Sequence, residues 1–216
     1  MNESWPWLAL AALGAYHGLN PAMGWLFAVA LGLQEQRRSA VLQALPPIAL
    51  GHAIAVLLAV LVVGVAQIVV PLDVLRYVCA GALVLFGLYK LVRRRHPRWV
   101  GMQVGFGDLT AWSFLMASAH GAGLMLMPVL LGLSSVERMH GPHMSGTHAA
   151  MADSSTALAD LAAVGLHTLA LFVVMGAVAV LVYEKLGVMI LKRAWINLDL
   201  LWAGTLVAAG VITLVV

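Results

Sequence analysis

Charge is what this 216-residue chain has least of: 10% of its residues are charged, against 62% hydrophobic, and its mean hydropathy is +0.97. Soluble domains carry roughly 25% charged residues. The composition excludes an ordinary soluble domain and predicts an all-α integral membrane protein. There is one cysteine, Cys79, so an intrachain disulfide and a CxxC redox pair are both excluded, and packing is its expected role. No GxxxxGK loop occurs, which removes the sign of ATP hydrolysis. No Ser/His/Asp set stands in a recognisable setting, and no enzymatic activity is expected. The opening "MNESWPWLALAALG" lacks a basic n-region and a small-x-small cleavage site, so it reads as the start of a first span.

What the chain does have is long apolar runs. Six of them reach the length of about 20 residues that a bilayer requires. They lie near 6–33, 44–69, 74–92, 107–133, 157–183 and 194–215. The twelve basic residues divide unevenly between the connections. Arg37 and Arg38 follow the first run; Lys90, Arg93, Arg94, Arg95 and Arg98 follow the third; Lys185, Lys192 and Arg193 follow the fifth. Only Arg76 and Arg138 fall on the other side. Ten against two predicts a multi-pass protein of the cell (inner) membrane with both termini extracytoplasmic and "KLVRRRHPRW" in the cytoplasm. Orientation and contact with anionic lipid account for that basic cluster, and no nucleic-acid partner is expected.

The runs also repeat. "AGALVLFGLYKLV" (80–92) aligns with "AGTLVAAGVITLV" (203–215). The first and fourth runs share His-Gly followed by Leu-Gly-Leu, at His17 and His120. The second and fifth each carry one early histidine, His52 and His167. The expected organisation is two three-helix repeats, 1–98 with the basic linker and 99–216 with a long polar loop at 134–156. Three spans per repeat is an odd number, so the halves enter from opposite sides, the inverted-repeat plan of secondary transporters with a site near the midplane.

Ionisable side chains within spans are costly and usually functional. Neutral imidazole is the commonest ligand of divalent transition metals. Four histidines in repeat-related positions therefore predict a metal or substrate site at His17, His52, His120 and His167. The stretch "AYHGLNPAMGW" (15–25) supplies its setting. Pro21 has no N–H and deprives the His17 carbonyl of its helical partner. Asn20, before the proline, is pushed from helical geometry. The first span is expected to break at mid-membrane, with Asn20, the His17 carbonyl and the soft thioether of Met23 beside the imidazole. The fourth span is expected to break likewise at Gly121 and Gly123.

"HGLNPAMGWLFAVALGLQEQRRSAVLQALPPIALGHAIAV" (17–56) resembles the first half of the NicO-type nickel/cobalt transporters, part of the LysE-like group of six-span proteins in two inverted halves. His17, Leu19, Pro21, Gly24 and His52 match the family pattern. Asn20 stands where the family has glutamate, Ala22 where it has its first glycine, Met23 where it has a second histidine, and Trp25 where it has lysine. The resemblance covers some forty residues well and the rest by architecture. It implies transport of nickel, cobalt or a similar cation.

The outer loop holds Met139, His140, His143, Met144, His148 and Met151. In a polar, Gly-rich segment this composition points to accessory capture of a soft or borderline metal such as copper, with pH sensing as another use of its histidines. Asp108 near a span end is a possible proton-coupling group, and Asp73 could pair with Arg76 one turn on. The function expected is a membrane transporter of a transition-metal cation, the ion being substrate, with no organic cofactor; oligomeric state and partner proteins are left open. Two other classes fit parts of the pattern: a membrane electron carrier with haem on paired histidines, and a metal-binding or sensor subunit anchored by its spans. Deleting 139–151 separates the last from a transporter. Metal flux into proteoliposomes should persist in part, whereas a sensor would lose its response entirely.

Overall fold

In the computed structural model the described residues are 4–92, 105–130, 149–186 and 195–215, and among them the chain is helical throughout, with no strand. The helices are α1 (Trp5–Leu19), α2 (Trp25–Glu35), α3 (Arg38–Val69), α4 (Leu72–Val92), α5 (Phe106–Ala119), α6 (Ala122–Leu130), α7 (Ala149–Leu181) and α8 (Trp195–Val215). A 3-10 turn, Pro21–Met23, joins α1 to α2, and α7 runs into a π-helical turn, Val182–Leu186. Two stretches, Arg38–Val69 and Ala157–Lys185, are each long and apolar enough to cross a membrane. The pair α5 and α6 makes a third when taken as one span bent by 56°. The outward stripe of α3 (Leu50, Ile54, Leu58, Leu61, Val65, Ile68) is exposed at helical spacing, as a lipid-facing helix requires. This is a membrane protein built of helices.

The first break falls at Pro21, where the sequence predicts it, and the second at His120-Gly121, with Gly123 inside α6 rather than at the break. At the first, Pro21 cannot continue the helix, and Gly24 takes φ +127°, a backbone region open to glycine. At the second, His120 ends α5 and Gly121 turns the chain at φ +68°. The fifth run, expected at 157–183, is matched by the apolar stretch Ala157–Lys185. Its helix reaches back to Ala149, inside the segment read as loop, because "AAMADSSTALAD" is rich in alanine, the strongest helix former. Met151 thus lies on α7, while 131–148, with the other five loop residues, lies outside the described residues.

The helices meet through small residues. A Cβ on Gly14 would collide with the carbonyl oxygen of His167, and one on Gly18 would come within 2.6 Å of that of Leu171. The contact advances four residues on each helix, so α1 and α7 run parallel at backbone distance. Gly14 and Gly18 form the small-xxx-small pattern of closely packed membrane helices. Helices α4 and α8 meet reciprocally. At Gly87 a Cβ would approach Val207 Cγ2 at 2.7 Å and the Ala203 carbonyl at 3.1 Å; at Gly210 it would approach Val84 Cγ2 at 2.7 Å and the Ala80 carbonyl at 2.9 Å. Early residues of one helix meet late residues of the other, so this pair is antiparallel. Helix α3 packs on both α5 and α7, and α2 on α3 and α7.

Two large apolar clusters result. One gathers α2, the start of α3 (Val41 to Ala49) and the later part of α7 (Leu171 to Val182). The other gathers Leu10, the later part of α3 (Ala55 to Val63), α6 and the earlier part of α7 (Ala163, Val164). His52 and His167 occupy the level between them. Substituting valine at either Gly87 or Gly210 should lower stability by about 1–3 kcal/mol through overpacking, and by similar amounts at both sites. Unfolding of the detergent-solubilised variants measures this, and an unshifted midpoint for either would contradict the reciprocal contact.

Candidate functional site

All four histidines of the apolar runs are buried: His17 and His167 at 0% exposure, His52 at 1%, His120 at 3%. Three come together from α1, α3 and α7. The ring centroids of His17 lie 5.4 Å from His52 and 5.0 Å from His167, edge-on to both. The His52 and His167 rings are 5.5 Å apart and nearly parallel, at 17°. Their Nε2 atoms are 3.3 Å apart. His120 lies within electrostatic range of His17. Among the described residues no three His, Cys, Asp or Glu side chains already stand in metal-holding geometry.

The outer nitrogens of three rings are tied to backbone. His17 Nδ1 is 2.8 Å from the Leu13 carbonyl, His120 Nδ1 is 2.7 Å from the Met116 carbonyl, and His167 Nδ1 is 3.3 Å from the Leu10 carbonyl. A carbonyl oxygen only accepts, so each Nδ1 carries the proton and each Nε2 carries the lone pair. The first two bonds have the same form, from the end of a helix at a break back to the residue four positions earlier. The third crosses from α7 to α1 and exists because Gly14 lets the two backbones touch.

The residues around the first break do other work than the sequence suggests. The His17 carbonyl is not released: the Asn20 N–H donates to it at 3.1 Å in a tightened last turn. Asn20 is buried, and its Oδ1 accepts the Ala22 N–H at 3.0 Å, capping the 3-10 turn. The indole of Trp25 donates to the Leu19 carbonyl at 3.1 Å and so satisfies the broken end. Met23 packs with Met125, Leu83 and Leu206.

Asp108 is exposed and accepts the Gly105 N–H at 3.0 Å, which makes it the cap of α5. Arg76 donates Nε–H to the Thr213 carbonyl at 2.6 Å, joining α4 to α8 rather than pairing with Asp73. Sequence reasoning missed the Gly14/Gly18 seam, although its spacing was legible. It also missed the bond between the Tyr16 and Thr205 hydroxyls at 2.8 Å, which no local pattern announces.

No family model, curated protein or solved structure matches this chain. The site is therefore read from its own chemistry. Asn20→Ala should cost about 1 kcal/mol of stability, while Asn20→Ser, which keeps a capping oxygen, should recover most of it. Thermal unfolding in detergent is the check; a serine variant as weak as the alanine variant would mean that the amide acts otherwise than as a cap.

Proposed function

We propose that this chain carries a transition-metal cation across the membrane through a site built on His17, His52 and His167, with His120 adjacent. The observation that carries the reading is the 3.3 Å between the Nε2 atoms of His52 and His167. Two nitrogens on one tetrahedral ion, each about 2.0–2.1 Å from it, stand roughly 3.3–3.4 Å apart. The pair thus has the spacing of two ligands. The His17 ring supplies the third after a rotation that brings its Nε2 toward the same point. Ligating histidines characteristically donate their other N–H to a backbone carbonyl or carboxylate, and Leu10, Leu13 and Met116 offer such carbonyls here.

The six-span inverted-repeat plan belongs to the same proposal. Exchanging α1 with α5, α3 with α7 and α4 with α8 turns the packing of α1 on α7 into that of α5 on α3. It also turns the Gly87 contacts into the Gly210 contacts. An axis that exchanges antiparallel helices runs perpendicular to them, hence in the plane of a bilayer they span. The His52–His167 pair then lies on the axis, at the interface of the halves, where such transporters hold their cargo. The likeness of residues 17–56 to the NicO-type transporters supports the same class.

A haem between His52 and His167 fits poorly. Its two axial nitrogens would stand about 4 Å apart, twice a metal–imidazole bond of about 2 Å, with the macrocycle between them, and the His17 ring already lies edge-on against both. In proteoliposomes loaded with a metal-sensitive dye, His17→Ala and His167→Ala should each reduce flux at least tenfold. Asp108→Asn should leave it unchanged, and full flux in the histidine variants would remove the site.

A further inference from the structure

The four histidines are not equivalent. Three are held by a carbonyl at Nδ1 and present an Nε2 lone pair; His52 is the exception. Its Nδ1 is buried with no hydrogen-bond partner among the described residues. Its Nε2 faces that of His167 at 3.3 Å. Since the Leu10 carbonyl fixes the His167 proton on Nδ1, the His167 Nε2 can only accept. The hydrogen bond between the rings therefore requires the proton of His52 to sit on Nε2. The opposite tautomer would set two lone pairs against each other at 3.3 Å and leave a buried N–H without an acceptor.

We propose that His52 is the switching ligand of the site: without cargo its Nε2–H occupies the lone pair of His167, and a metal enters only when His52 changes tautomer. The change is neutral. One proton leaves Nε2 and one arrives at Nδ1, so the ring keeps its charge while Nε2 gains the lone pair that a metal bond needs. In the loaded state Nδ1–H has no acceptor, where in the metal-free state the same buried atom is an unpaired acceptor and Nε2–H is satisfied by His167. His17 and His167, with their Nδ1 protons already placed, meet the ion without a change of tautomer. The result is one ligand that releases easily, which suits a site that must let its cargo go. This rests on the metal-transport reading above.

The test is nitrogen-15 NMR of the full-length chain with His96, His140, His143 and His148 replaced by glutamine, which leaves the four membrane imidazoles. Zinc(II), diamagnetic and imidazole-binding, is the probe. Without metal, three rings should show Nδ1–H and one Nε2–H, and the latter should vanish in His52→Gln. Zinc should convert that ring to Nδ1–H with a metal-shifted Nε2. Four Nδ1–H rings in the metal-free protein would overturn the proposal. So would zinc shifts at the other rings while His52 keeps Nε2–H, an outcome that leaves the metal site standing. If zinc shifts no ring, the metal-transport reading falls and the switch with it, although the metal-free tautomers remain as assigned.

Discussion

The approach of α1 to α7 at backbone distance is the contact on which the rest depends. It is possible only because Gly14 and Gly18 have no side chains: the neighbours of the missing Cβ atoms are carbonyl oxygens and a backbone nitrogen of α7, which cannot move aside. That contact brings the Leu10 carbonyl to His167 and seats His17 against both other rings. In lipid there is no hydrophobic drive between helices, and close backbone packing with interhelical hydrogen bonds takes its place.

The two apolar clusters then close the site from above and below. Leu10, Val56, Leu126 and Val164 lie on one side of the histidine level, and Trp25, Leu45, Ile48 and Leu171 on the other. The three imidazoles share the interior with no exposed surface to speak of. On the metal-transport proposal an ion in such a place would shed its water, and its affinity would come from the number and readiness of its nitrogen ligands. Neutral imidazoles would suit cations that accept neutral ligands and would disfavour calcium and magnesium.

Much of this was legible in the residues. Pro21 and the His120-Gly121 pair announce breaks because both act through local backbone geometry, and the burial of the histidines was legible because each stands inside an apolar run. What failed was what depends on a partner. The His17 carbonyl, deprived of its usual donor by Pro21, is recovered by the neighbouring Asn20 N–H, since a helix end can tighten into a 3-10 turn. The capping of α5 by Asp108 was not foreseen, since it shows only once the helix start is placed. The start of α7 was hidden by polar residues that are nonetheless good helix formers. Gly14 and Gly18 passed unremarked among the small apolar residues of the run, because their meaning lies in the helix they touch.

The pairing of α1 with α7 also sets a timetable for making the protein. The Leu10 carbonyl waits for an imidazole 157 positions further along the chain. At about 5–20 residues per second a ribosome takes roughly 8–30 s to produce it. Throughout that interval α1 is already made, with its glycine seam and His17 uncovered, and α3 in turn waits for α5. The earlier helices find their packing partners late in the chain, so their interior is complete only once α5 and α7 have arrived.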